Sequence, residues 1–125
     1  MTHRFPIRVY YEDTDMAGVV YYVNYLKYIE RARSDWVREM GIDQNAMRDD
    51  DGIVFVVRRV EADYLASARF DDELEVQTNV VSASGVRLIM EQHVTRQEAC
   101  LFSAIVTIVC VNADGKPVRL PANIR

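Results

Sequence analysis

The distribution of hydrophobic and polar positions along the chain predicts one long helix and a set of strands. Between Tyr21 and Met40 apolar residues recur every three or four positions, which is the period of an amphipathic helix, and Gly41 follows as a typical helix stop. Strict alternation and short continuous apolar runs indicate strands elsewhere. We predict these strands at Phe5–Tyr11, Ile53–Val57 with a less regular continuation through Val60 and Ala62, Glu73–Val81, Val86–Arg96 and Leu101–Val111.

The order of these elements predicts an α+β fold. One strand precedes the helix, and four strands follow it in hairpin succession, with turns such as 82–85 and 112–115 between them. A helix with so broad an apolar face needs an extended surface to cover, so we expect one antiparallel five-stranded sheet wrapped around one long helix. The length suits a single domain over residues 1–125. Since one helix covers only one face of a sheet, we expect a homo-oligomer that buries the other face or extends the sheet edge.

Composition and charge exclude several classes of function. A formal net charge of −4 disfavours an extended nucleic-acid surface. No segment approaches the roughly 18 uncharged apolar residues of a membrane span, and the N-terminus lacks the apolar core of a signal peptide, so we expect a cytoplasmic protein. Cys100 and Cys110 are expected to be buried reduced thiols, and no metal-ligand spacing joins them to His3 or His93.

The stretch from Tyr11 to Asn24 carries the candidate chemistry. It places Glu12, Asp13 and Asp15 close to Gly18, directly before the predicted helix. A carboxylate can act as a base or a nucleophile, and the unpaired N–H groups at a helix start can hold a developing oxyanion. Acyl transfer needs both of these groups in one place.

Two other interpretations of these carboxylates stay open. Acidic residues before a helix often cap it and complement its dipole. Asp13, Asp15 and Gly18 also match three positions of a calcium loop, although Ala17 and Asn24 stand where further ligands are needed. The apolar residues that follow Asp15 also fit catalysis, because an apolar surrounding raises the basicity of a carboxylate, but they are not specific to it.

The loop and helix, YEDTDMAGVVYYVNYLKYIERARSDW, resemble the hotdog-fold acyl-CoA thioesterases. The resemblance is closest to the YbgC-like group and extends to 4-hydroxybenzoyl-CoA thioesterase. A second block, VEADYLASARFDDELEV, is similar to the same group, and the likeness covers roughly residues 5–111. It implies a hotdog fold and a thioester hydrolase that cleaves an acyl-CoA to a free acid and coenzyme A.

The resemblance also implies roles for individual residues. Asp15 matches the catalytic base or nucleophile, and the backbone N–H of Tyr22 matches the oxyanion donor. Gly18 allows the substrate to approach closely. Val19 and Tyr25 are substrate-binding candidates, and Tyr25 also supports the start of the helix. The cations expected to meet the coenzyme A phosphates are Arg58, Arg59, Arg87 and Arg119.

One position departs from the resembling group. Many YbgC-like proteins have histidine where this chain has Tyr22, and a tyrosine with its high pKa would protonate a leaving thiolate poorly. The resemblance further implies a dimer of dimers with each active site at a dimer interface. The depth of the acyl pocket is then set by how Met16, Phe55, Val56 and Val57 pack against a second subunit.

The resemblance implies no metal and no cofactor, because coenzyme A arrives as part of the substrate. An acyl carrier protein is the alternative carrier of the acyl group. Two rival functions stay open. An enoyl-CoA hydratase or dehydratase of the same fold would need a histidine in the cleft, and the stretch around Asp15 has none. A module that binds an acyl-CoA or an acyl carrier protein would bind without turnover.

Overall fold

A computed structural model describes all residues from Met1 to Arg125. It contains five strands, two α-helices and a short 3-10 turn at Tyr11–Asp13. The bounds, in chain order, are β1 His3–Arg8, α1 Asn24–Glu39, α2 Gln44–Asp51, β2 Val54–Tyr64, β3 Glu73–Ser84, β4 Arg87–Arg96 and β5 Ala99–Val111. The predicted α+β architecture with five strands and one long helix is therefore present.

All five strands form one antiparallel sheet in the order β1-β3-β4-β5-β2. This order corrects the prediction of four strands in hairpin succession. Only β3, β4 and β5 follow one another as hairpins, whereas β2 pairs with β5 at the far edge. The segment 65–72 carries the chain from one edge of the sheet towards the other, and sequence periodicity does not reveal where such a connection leads.

Helix α1 packs against one side of the sheet and forms the core with it. Alternation along each strand sends every second side chain towards the helix, so Leu88, Met90 and Val94 are almost fully buried there. From the helix, Tyr28, Ile29 and Ala32 fill the space opposite, each 1% exposed or less. These residues recur at the spacing that predicted the helix.

The second helix, α2, was missed by the sequence prediction. Its sequence, QNAMRDDD, contains only two apolar residues, Ala46 and Met47, and because they are adjacent no apolar residue recurs at helical spacing. Asp43 caps its N-terminus by accepting the Ala46 N–H at 3.1 Å, and Gly52 ends it in a left-handed conformation. Neither helix of the protein is long and apolar enough to cross a membrane.

Strand β2 lies at an edge of the sheet and is exposed over most of its 11 residues. Its Val56, Val57 and Val60 side chains are 38–45% exposed, and its outward backbone groups have no partner strand. Long edge strands of this composition are commonly covered or paired in folded proteins.

Candidate active site

A tight turn presents Asp15 next to the start of α1. The Asp15 N–H donates to the Val19 carbonyl at 2.9 Å, and the Gly18 N–H donates to the Asp15 carbonyl at 3.0 Å. Gly18 has φ +79°, a left-handed conformation that other residues adopt only with strain. A Cβ at Gly18 would meet no atom of the chain within 4 Å, so the turn conformation, and not crowding, requires glycine there.

The carboxylate of Asp15 is held at one oxygen and free at the other. Its Oδ1 accepts the Ala17 N–H at 2.9 Å, while Oδ2 accepts no hydrogen bond within the chain. The side chain is exposed and lines a cavity of about 380 Å³. The walls of this cavity are mainly aromatic and aliphatic and include Val19, Tyr22, Tyr25, Tyr64 and Leu65. The expected apolar surrounding is thus present on one side of Asp15.

The neighbouring Asp13 has a structural position instead. It is buried, and its Oδ2 accepts the Tyr10 N–H at 2.8 Å. Its backbone carbonyl accepts two further bonds, from the Tyr21 N–H and the Asn24 side-chain amide, both at 2.8 Å. Asp13 therefore fixes the loop to the beginning of α1, and Glu12 points to solvent.

The backbone N–H of Tyr22 is an unpaired donor at the same cavity. Helix α1 begins at Asn24, so the prediction of a helix from Tyr21 is wrong at its start by three residues. Tyr22 lies in the turn before the helix, and its N–H donates to no acceptor in the chain. The N-cap is Val23, whose side chain cannot cap, so none of the three acidic residues of the loop caps α1 through its carboxylate.

Tyr64 is a site residue that the sequence analysis did not single out. Its hydroxyl donates to the Tyr22 carbonyl at 3.0 Å, and its ring contacts the Tyr22 and Phe102 rings edge-on. Burial raises the pKa of the Tyr64 hydroxyl, so it stays a protonated donor at neutral pH. Only the folded sheet brings the end of β2 to this turn. The one signal for Tyr64 in the sequence is its place in the block VEADYLASARFDDELEV.

Tyr25 joins the helix to the segment that follows β2. Its hydroxyl accepts the Ala68 N–H at 3.0 Å, and burial raises its pKa. The Ala68 carbonyl in turn accepts the Val20 N–H at 2.9 Å. Tyr25 therefore supports the wall of the cavity as well as the start of α1, while its contact with a substrate stays a prediction.

The structure does not bring the four candidate arginines into the cavity beside Asp15. Arg59 is exposed on the edge strand and pairs with Glu61 at 2.9 Å. Arg58 sits next to it at an irregularity of β2, Arg87 lies on the face of the sheet away from α1, and Arg119 lies near α2. Their role as phosphate ligands stays a prediction.

Potential metal ligands meet at one place, remote from this cavity. His3, Asp35 and Glu39 bring their ligand atoms within 4.8 Å of one another, where β1 meets the C-terminal half of α1. The shortest of these contacts, His3 Nε2 to Asp35 Oδ2, is a 2.8 Å hydrogen bond. The carboxylates of the Asp15 loop form no such group with other ligand residues.

Comparison with known proteins places this geometry in a family. The profile of the Thioesterase-like superfamily matches residues 9–125. The chain is 38% identical over 122 residues to the acyl-CoA thioesterase YbgC of Haemophilus influenzae, covering 97% of this chain and 90% of that protein. It is 42% identical over 123 residues to the acyl-CoA thioester hydrolase YbgC of Escherichia coli, covering 97% and 91%. The crystal structure of a probable thioesterase from Bartonella henselae superimposes with a TM-score of 0.91 at 37% identity, covering 97% and 100%.

The long helix on a five-stranded antiparallel sheet is the hotdog fold of these structural neighbours, and the relatives show a thioester hydrolase. The chain belongs to the Thioesterase-like superfamily. The predictions of the fold and of the enzyme class are confirmed.

Proposed function

We propose that this protein hydrolyses acyl-CoA thioesters, with Asp15 as the general base or nucleophile and the Tyr22 N–H as the oxyanion donor. The observation that carries the proposal is that Asp15, with an unbonded carboxylate oxygen, and Tyr22, with an unbonded backbone N–H, line one cavity. The names of the Haemophilus influenzae and Escherichia coli relatives support acyl-CoA as the substrate class.

The proposed reaction follows from the two groups. As a base, Asp15 takes a proton from a water molecule while the water oxygen bonds to the thioester carbon. As a nucleophile, its own Oδ2 forms that bond and gives a mixed anhydride, which water then hydrolyses. In both routes the carbonyl oxygen becomes negative and accepts the Tyr22 N–H. The C–S bond then breaks and the thiolate leaves with its electron pair.

We further propose that the complete site needs a second copy of the chain. Asp15 is open to solvent, and Met16, Tyr22 and Leu65 around it are 57–104% exposed, whereas acyl transfer benefits from a closed site. Antiparallel pairing of β2 with its own copy would place Val54 beside Tyr64 of the partner subunit and bring the second subunit to the cavity. A dimer of dimers, a cytoplasmic location and an acyl carrier protein as alternative carrier belong to the same proposal. We also propose that the reaction uses no cofactor beyond the coenzyme A of the substrate.

Thiol release from a panel of short aliphatic, long aliphatic and aromatic acyl-CoAs tests the proposed function. We expect thiol release from at least one class of acyl-CoA. If acyl carrier protein is the carrier, we expect hydrolysis of the thioester that joins the acyl chain to it. Binding of acyl-CoA without thiol release would support the binding-module alternative. Hydration of an enoyl-CoA is not expected, because no histidine lines the cavity.

Tyr64→Phe should reduce kcat about fivefold and leave KM nearly unchanged. The substitution removes only the hydroxyl that fixes the Tyr22 carbonyl, and a neutral hydrogen bond contributes about 1 kcal/mol. Tyr64 thus acts as a positioning residue for the oxyanion donor. Steady-state kinetics beside a thermal unfolding curve would measure this effect.

Tyr11→Phe is the matched control for that substitution. The Tyr11 ring stacks on Phe70 at the surface, and its hydroxyl makes no hydrogen bond in the chain. Wild-type kcat in Tyr64→Phe, or a loss that follows the unfolding temperature alone, would contradict the positioning role.

A further inference from the structure

A second cavity, of about 240 Å³, lies between α1, α2 and the sheet. Its apolar wall consists of Val37, Phe55, Val57, Leu88, Met90 and Ile108. Its polar wall comes from the helices, with Glu30, Arg33 and Ser34 on α1 and Gln44 on α2. No residue lines both this cavity and the one that contains Asp15.

Arg33 is the unusual feature of this cavity. Its guanidinium is largely buried, and this burial lowers its pKa, which shows how poorly the surroundings replace water. No carboxylate oxygen of the chain lies within 4.0 Å of it. Buried cations in proteins normally have a directly bonded anionic partner, whereas Glu30 acts on Arg33 only through space, so Arg33 has no ion pair within the chain.

A rigid amide holds Arg33 at the cavity wall. Gln92 is fully buried, and its Nε2 donates to the Ile29 carbonyl and to Thr78 Oγ1, both at 2.9 Å. These bonds fix the amide so that Oε1 accepts one N–H of Arg33, also at 2.9 Å. The other N–H groups of Arg33 donate to no protein atom, and Arg33 lines the same cavity as the apolar side chains.

We propose that this cavity binds a carboxylate carried on a short apolar chain, with Arg33 as the ion partner of the carboxylate. Guanidinium groups bind carboxylates through two parallel N–H···O bonds, and the opposite wall accepts the chain. The volume equals that of about eight water molecules at about 30 Å³ each, which suits a chain of roughly six carbons. Glu30 stands on the exposed side with its Oε2 bonded to the Ser34 hydroxyl at 2.6 Å.

The carboxylate has two possible sources. It is either a free carboxylic acid, which is the chemical class of the hydrolysis product, or the distal carboxylate of an acyl group. The second source rests on the proposed function and on the proposed dimer. Because β2 would pair antiparallel with its copy, the Phe55 end of one subunit would lie near the Tyr64 end of the other. An acyl chain held at Asp15 could then reach Arg33 of the partner subunit.

Binding of hexanoate, with hexanamide as its neutral counterpart, tests the site itself. We expect Arg33→Met to weaken hexanoate binding about 10- to 100-fold, the range for losing hydrogen bonds to a charged group, and to leave hexanamide binding nearly unchanged. Arg31→Met is the matched control, since Arg31 lies on the same helix, is exposed and does not line the cavity. Ligand-observed NMR titration would measure these affinities. Equal binding of hexanoate and hexanamide by the wild type, or no binding of either, would overturn the proposal.

Glu30→Gln gives a second test that does not remove Arg33. Deleting the one negative charge at the cavity should tighten hexanoate binding several-fold, and unchanged affinity would contradict the proposal. Adipyl-CoA and hexanoyl-CoA then distinguish the two sources. A fall in kcat/KM for adipyl-CoA alone in Arg33→Met identifies the distal carboxylate, and unchanged kinetics beside weakened hexanoate binding identify the free acid. If the wild type hydrolysed no acyl-CoA at all, the proposed function would be wrong. The effect of Arg33→Met on hexanoate binding would still test the carboxylate site.

Discussion

Asp15→Asn should lower kcat for thioester hydrolysis about 10²- to 10⁴-fold, the range found when a general base is removed. Asparagine keeps the size of the side chain and the Oδ1 acceptor for the Ala17 N–H, so the turn stays intact. What it removes is the negative charge on the free oxygen. If Asp15 is the nucleophile, the loss should be at least as large, because the covalent route disappears.

Glu12→Gln is the control for this substitution. Glu12 is a carboxylate of the same loop, three residues away, and it is exposed with no ion pair or hydrogen bond to another side chain. We expect wild-type turnover from Glu12→Gln and wild-type binding of acyl-CoA by Asp15→Asn. Measurable thiol release by Asp15→Asn at near the wild-type rate would show that the chemistry is carried elsewhere.

The sequence predicts the long helix well because its buried face has a strong period. Tyr25, Ile29 and Ala32 are all almost fully buried, as their spacing indicates. The start is wrong because Tyr21 and Tyr22 continue the apolar pattern, although both rings are about half exposed and lie outside α1. Apolar side chains at an uncovered surface imitate a buried face, and periodicity alone cannot separate the two.

Helix α2 shows the opposite error. Met47 is its one buried side chain, and its two apolar residues are adjacent, so no apolar residue recurs at helical spacing. The signals that were present are local, with Asp43 in the N-cap position and Gly52 after the last turn. Capping residues at that distance from each other indicate a short helix even where periodicity fails.

The candidate site also has one part that the sequence predicts and one part that it does not. Asp15 and Gly18 lie in one continuous motif, so their proximity follows from the chain itself. The contact of Tyr64 with the Tyr22 carbonyl joins residues 42 positions apart, and the bond between Arg33 and Gln92 joins residues 59 apart. Such pairs depend on the strand order, in which β2 is separated from β3, and the hydrophobic pattern does not encode that order.

Val60→Lys should weaken dimerisation about 100-fold or more if two copies pair through β2. Val60 lies near the middle of this edge strand and is 38% exposed. In the antiparallel register that places Val54 beside the partner's Tyr64, position 60 lies opposite position 58, so each new lysine meets the partner's Arg58. The new lysine also lies next to Arg59 of its own chain. Like charges placed together at an interface cost several kcal/mol, and about 1.4 kcal/mol corresponds to a factor of ten.

Analytical ultracentrifugation over a range of concentrations measures that change directly. Val81→Lys is the matched control, because Val81 is 59% exposed and lies on the interior strand β3. This substitution adds the same charge away from the edge strand. If the second copy closes the cavity around Asp15, turnover per chain in Val60→Lys should fall on dilution and recover at high protein concentration. The wild type should show no such dependence over the same range. A wild-type protein that is monomeric and fully active at nanomolar concentration would contradict the two-copy site. The cavity around Asp15 in a single chain would then be sufficient for catalysis.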